Sequence, residues 1–271
     1  MSGRLVCRAE ALSHVGKVRK LNEDSLLSRP EIGLFVVADG MGGHGGGDLA
    51  SQAVVGALSG LEAPSSASGF LAEFEAKIVA VNAELRDLAR RRDTAIVGTT
   101  LAALLIYDAH FACVWCGDSR VYLFRRGELT RLSRDHSEVQ ELIDRGVLDE
   151  EEAKTWPRRN IVTRALGASD DLELEIIDGP AEPADRFLLC SDGLIAHLDD
   201  DEIAEILGGS DLSGAVEALV AETLRRGASD NVSVIAVECV DVDKTVRTEL
   251  GAGARVEETT VIPLNPDAST A

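Results

Sequence analysis

FVVADG (residues 35–40) and FLLCSDG (residues 187–193) share one design: an apolar run, a small residue, then Asp-Gly. Short runs this apolar read as buried strands, and glycine frees the backbone to turn or to approach an ion closely. Asp39 and Asp192 therefore stand at the ends of buried strands. A third segment, GASDNVSVIAV (227–237), sets Asp230 just ahead of another strand. Three carboxylates meeting at one sheet rim repel unless a cation neutralises them. An all-oxygen set suits Mg2+ or Mn2+ rather than zinc or copper. An Asp-Gly pair taken singly is an ordinary turn former. A metal site and a set of turn caps both stay open at this level.

Outward from these strands, residues 5–13 and 25–38 read as strands, and 48–61 and 70–92 as helices. In the second helix Phe70, Phe74, Ile78, Val81, Leu85 and Leu88 recur at three- and four-residue spacing. Strands follow at 99–105 and 109–116, and Gly117-Asp118-Ser119 turns the chain into 121–124 in a hairpin pattern. Residues 137–155 are charged and helical with a break at 145–147. Beyond the strand at 186–190, helices at 200–208 and 213–226 precede a closing strand at 232–240. Strands thus come in adjacent groups separated by long helices. That order disfavours a doubly wound parallel sheet and favours antiparallel sheets covered by helices. From residue 242 the chain turns polar and rich in Thr, Gly and Pro, which reads as a flexible tail (242–271) behind one domain spanning 1–241. Thr245, Thr248, Thr259 and Thr260 are candidate modification sites in that tail.

The 271 residues are 45% hydrophobic and 27% charged, enough for one domain with a sizeable core. Net charge is −20, which excludes nucleic acid and anionic membrane as partners. The same field repels phosphorylated ligands unless cations sit in the site. Five cysteines, an odd number, with three inside apolar runs, point to reduced thiols and a cytoplasmic protein. Cys113 and Cys116 form a CxxC, but on a strand they face opposite ways, and no second pair completes a zinc site. The N-terminus lacks a signal peptide's apolar core, and the most apolar stretch, 101–116, is too short to span a bilayer.

The glycine-rich loop DGMGGHGGGD (39–48) lacks the Gly-Lys-Ser/Thr ending of a phosphate-binding P-loop. It is either a plain turn into the next helix or a loop that brings backbone against ions with His44 beside them. VRKLNEDSL (18–26) sets Arg19 near Glu23 and Asp24. It is either an exposed polar turn or a guanidinium placed to grip phosphate oxygens.

VRKLNEDSL, FVVADGMGGHGGG, GTT (98–100), CGDSRVYLF (116–124), RDHS (134–137), TRALG (163–167), LLCSDGL (188–194) and SDNVSVI (229–235) occur in the order found in type 2C metal-dependent serine/threonine phosphatases. The sequence resembles that family, and its bacterial branch in particular, over about residues 7–240. The resemblance implies an α+β fold, a four-layer α-β-β-α sandwich of two antiparallel sheets. It implies a movable flap at about 135–165. It implies two core Mn2+ or Mg2+ ions held by Asp39, the Gly40 carbonyl, Asp192 and Asp230, with Glu23 acting through water. Asp118 would join Asp192 at a third ion, and Arg19 would bind the substrate phosphate. His44 is the candidate general acid, although the animal enzymes place His directly after Asp-Gly, where this chain has Met41. The implied activity is hydrolysis of phosphoserine and phosphothreonine in proteins by a metal-activated water.

The implied partners are phosphorylated proteins and a cognate bacterial serine/threonine kinase, with control of type VI secretion as one setting; a monomer is expected. The rival readings are a catalytically inactive phosphoprotein-binding scaffold of the same fold and a structural cation-binding protein.

Overall fold

The computed structural model describes residues 5–42, 45–94 and 96–241. His44 and the tail from 242, with its threonines, lie outside the described residues. One sheet has the order β1 (Leu5–His14), β11 (Val232–Asp241), β10 (Arg186–Cys190), β7 (Arg120–Arg125), β8 (Glu128–Arg131). The other runs β2 (Asp24–Arg29), β3 (Leu34–Gly42), β5 (Leu101–Tyr107), β6 (His110–Cys116), β9 (Glu175–Pro180), with β4 (Val97–Thr99) added on β3. Every strand pairing is antiparallel.

Strand alternation builds the layers. Phe35 and Val37 of β3 face inward with Phe187 and Leu189 of β10 and Ile235 and Val237 of β11, forming the core between the sheets. The Phe111 and Phe187 rings meet edge to face across it at 5.1 Å. The alternate residues Val36 and Ala38 face α1 (Gly47–Ser59) and α2 (Ala67–Arg92). On the far side, Leu188 and Cys190 face α5 (Asp192–Ile195), α6 (Asp200–Gly209) and α7 (Leu212–Arg225). The result is the four-layer α-β-β-α sandwich. Helix α2 shows why the predicted face forms: Ser66 caps its N-terminus by accepting from the Gly69 amide at 3.1 Å. Phe70, Phe74, Ile78, Val81 and Leu85 then bury one stripe. Helix α6 starts in a capping box between Asp199 and Glu202.

Three readings of the sequence need correction. Residues 25–38 are a hairpin, not one strand: Pro30 opens a turn that Gly33 closes at φ +71, its amide donating to the Pro30 carbonyl at 3.2 Å. Gly117–Ser119 is not a hairpin turn, because β6 and β7 belong to different sheets. With Gly117 at φ +117 the chain crosses there from one sheet to the other, which sets Asp118 at their common rim. The acidic stretch before Pro180 forms an edge strand, β9, that its pattern does not announce. The charged region after β8 forms α3 (Glu138–Asp144) and α4 (Glu150–Thr155), split near Gly146 at φ +67. Cys113 packs between the sheets and Cys116 beneath the helices, on opposite faces of β6. Among the described residues no helix is long and apolar enough to cross a membrane.

Candidate functional site

Asp24 and Asp39 sit opposite each other on β2 and β3. Inward parity carries from Phe35 and Val37 to Asp39, and from Leu26 to Asp24, so both carboxylates enter the seam between the sheets at its rim. Strand β3 changes partner at this point: Leu34–Val37 pair with β5, and Gly40–Gly42 with β4. The two threonines of GTT fill the gap. The Thr100 hydroxyl accepts from the Asp39 amide at 3.0 Å, the Thr100 amide donates to the Asp39 carbonyl at 2.8 Å, and the Thr99 hydroxyl donates to that carbonyl at 2.9 Å. The backbone of Asp39 is therefore clamped from the β5 side. A Cβ on Gly40 would collide with the carbonyls of Gly47 and Glu23, so only glycine passes between β2 and the start of α1.

The second wall comes from the other sheet. Asp192 opens α5 directly after β10, and a Cβ on Gly193 would strike the Asn231 carbonyl. The buried Ser191 hydroxyl donates to Asp24 at 2.9 Å across the seam. Asp230 accepts from Arg19 at 2.6 Å and from the Asn231 amide at 2.8 Å. The Asn231 side chain is the staple for the Arg19 segment. Its Nδ2 donates to the carbonyls of Val15 and Leu21, both at 2.9 Å, and its Oδ1 accepts from the Glu23 amide at 2.8 Å.

These pieces line one cleft of about 360 Å3 with Arg19, Glu23, Asp39, Gly40, Asp118, Asp192 and Asp230 among its walls. Asn160 and Val162 reach it from the far end of the flap. The cleft is electrostatically unsatisfied. Burial, reinforced by the Asp192 and Asp135 charges, pushes the Asp118 carboxyl up to about 8. Burial also pushes Asp24 up to about 6 against the opposing hydrogen bonds of Ser233 and Ser191. Burial, then the Asp230 charge, raises Asp192 to about 6. Asp39 stands well above the usual carboxylate range for the same reason, with Asp24 the nearest like charge. Arg19, half-exposed, is held charged by its bond to Asp230. Asp24 Oδ1 is buried with no hydrogen-bond partner.

This donor set fits divalent cations: it is all oxygen and carries excess negative charge, and behind it Asp24, opposite Asp39 on the neighbouring strand, keeps an orphaned buried carboxylate atom. Among the described residues no three such groups close around one point as a ready-made cage; the carboxylates line the walls instead. Asn231, Thr100 and Ser191 were not singled out by sequence reasoning, and Asp24 was named only as a carboxylate near Arg19. The signals were present in NED (22–24), SDN (229–231), GTT and CSDG, all inside stretches that the sequence reading quotes.

The pattern that defines the protein phosphatase 2C family matches residues 14–237. The serine/threonine protein phosphatase PstP of Mycobacterium tuberculosis is 38% identical over 251 residues, which cover 92% of this chain and 48% of PstP. The chain thus spans about half the length of that relative. The crystal structure of the PstP catalytic domain in complex with two manganese ions is 37% identical with a TM-score of 0.80, covering 88% of this chain and all of that domain. The structure of PppA, described as a key regulatory component of T6SS in Pseudomonas aeruginosa, is 42% identical with a TM-score of 0.81, covering 87% of this chain and 99% of PppA. The chain belongs to the protein phosphatase 2C family, in its bacterial branch.

Proposed function

We propose that this protein hydrolyses phosphoserine and phosphothreonine in proteins, using Mn2+ or Mg2+. Asp39, the Gly40 carbonyl, Asp192 and Asp230 would hold two ions, with Glu23 acting through water, and Asp118 would share a third with Asp192. Bound there, divalent ions would acidify a water and neutralise phosphoryl charge. The chain's own residues do the rest. Arg19 stands at the rim with one amino group on Asp230, leaving donors to orient the phosphate and offset charge on its oxygens. Thr100 and Asn231 hold Asp39 and the Arg19 segment rigid, so neither needs to reorganise as charge moves.

The observation that carries this reading is the cleft of raised carboxylates with Arg19 as the cation on its wall. The two-manganese PstP domain supports the identity of the ions. The test is hydrolysis of a chromogenic phosphate ester and of phosphopeptides with and without Mn2+. Turnover that persists in excess chelator would overturn the reading. A cognate serine/threonine kinase is the partner it would oppose, and the likeness to PppA, described as a regulatory component of T6SS, supports type VI secretion as one setting. The proposed catalytic unit ends with β11, a boundary that the family match over 14–237 supports. Deleting 242–271 should leave small-ester hydrolysis intact, and lost hydrolysis would reject that boundary.

A further inference from the structure

The RDHS motif contributes nothing to the cleft wall, yet His136 within it is buried to 6% exposure, with its ring stacked against Trp115 at 6.3 Å. Two bonds tie it to the turn that carries Asp118. The His136 Nδ1 accepts from the Gly117 amide at 3.1 Å, and the His136 amide donates to the Gly117 carbonyl at 2.9 Å. Accepting at Nδ1 requires that nitrogen to be bare, which places the ring proton on Nε2. Nε2 faces Glu175 Oε1 at 3.0 Å, and Glu175 also accepts from Arg164 at 3.2 Å. The ring therefore spans from the Asp118 turn to the first residue of β9.

The His136 backbone joins the flap's two stems. Its carbonyl accepts from the Thr163 amide at 2.8 Å, Ser137 bridges Val162, and the Glu138 amide donates to Ile161 at 2.9 Å. Val162 lines the cleft, so the paired stems end at the site itself. Gly117 has no freedom to compensate: it sits at φ +117 and packs against Thr100, so its amide depends on the imidazole.

We propose that His136 is a positioning residue that holds the Asp118 turn through Nδ1 at Gly117, while its own backbone is fixed by the flap stems. The proposal rests on the reading of Asp118 as a ligand of the third ion. Two substitutions separate the ends of the ring. His136→Asn keeps an acceptor near the Nδ1 position, while His136→Gln keeps a donor near Nε2 and loses that acceptor.

In Mn2+ titration calorimetry of the full chain, His136→Gln should lose the weakest binding event and keep the tight ones. It should also lose hydrogen-exchange protection at the Gly117 amide. His136→Asn should retain both. Equal protection at Gly117 and all metal events intact in both variants would reduce the ring to packing and overturn the proposal. So would loss of every metal event in both variants at unchanged melting temperature. Asp118→Asn run alongside isolates the premise: if it leaves the weak event in place, the third-ion reading fails, while the Gly117 exchange data still decide what His136 holds.

Discussion

Two concavities of similar size lie on this molecule, and both are acidic. The groove between α6 and α7, about 420 Å3, is lined by Leu198, Ile206, Glu202, Glu222, Arg225 and Arg226 among others. There the principal carboxylates are answered. Arg226 bonds Glu202 at 2.5 Å and Glu222 at 2.7 Å, and Arg225 bonds Glu222 at 2.6 Å. The Arg225 bond, with Arg226 behind it, holds Glu222 down at about 2, and Arg226 lowers Glu202. In the rim cleft the carboxylates of Asp24, Asp39, Asp118 and Asp192 are driven upward by burial and by one another. Charge density alone does not mark a site. What marks it is charge that the fold leaves unanswered, at a cost to its own stability. The larger groove is a zipped surface, and the smaller cleft keeps its negative charge uncompensated by the fold.

Substitutions can break or sharpen that contrast. The largest effect should come from Asp39→Asn, which removes a proposed metal ligand and with it about a thousandfold of phosphopeptide turnover. The same change relieves repulsion, so it should raise the melting temperature of the chelated protein by roughly 2 °C. A fall in that temperature would mean the cleft is not strained by its own charge. Asp118→Asn keeps size and turn, and should lower kcat on phosphoprotein about tenfold while the tight Mn2+ events in calorimetry stay unchanged. Wild-type rates with an unchanged metal count would make Asp118 a turn residue only. Arg19→Ala should raise KM for phosphopeptides several-fold, about 1 kcal/mol of lost phosphate binding, with Mn2+ affinity preserved. Unchanged steady-state kinetics would reject the clamp. The smallest catalytic effect belongs to Arg226→Ala in the groove, where kcat/KM should stay within about twofold and only the melting temperature should drop. Lost activity there would erase the distinction between the two regions.

Much of this was legible in the chain. The apolar run before Asp192 announced the end of β10, and the Phe70 to Leu85 spacing announced α2, because both patterns are local, whereas β3 runs on past Asp39 to Gly42. What was hidden depends on partners far away in sequence. Nothing in Gly117-Asp118-Ser119 says whether the next strand joins the same sheet or the opposite one, so the turn looked like a hairpin. Pro30 and Gly33 enclose a turn too short to interrupt the apolar pattern of 25–38. Glu23 and Asp24 were equally eligible as site carboxylates. Only the β2–β3 register puts Asp24 across from Asp39 and beneath Ser191. Asn231 reads as one more polar turn residue until it is seen holding Val15, Leu21 and Glu23 together.

The pairing of β1 with β11 runs in full register from Leu5 opposite Asp241 to His14 opposite Val232, and just beyond it Arg19 meets Asp230. The earliest described strand to leave the ribosome thus waits for the latest. Until then its edge is unpaired, the sheet lacks its second member, and the cleft lacks one carboxylate and the staple of the Arg19 segment. Contacts of such long sequence separation form slowly and form late. A nascent chain stalled between 193 and 229 therefore carries Asp39, Asp118 and Asp192 but neither Asp230 nor the strand that pairs with β1. Among the described strands, β11 is the last to be made and the one that joins β1 to the rest of the sheet.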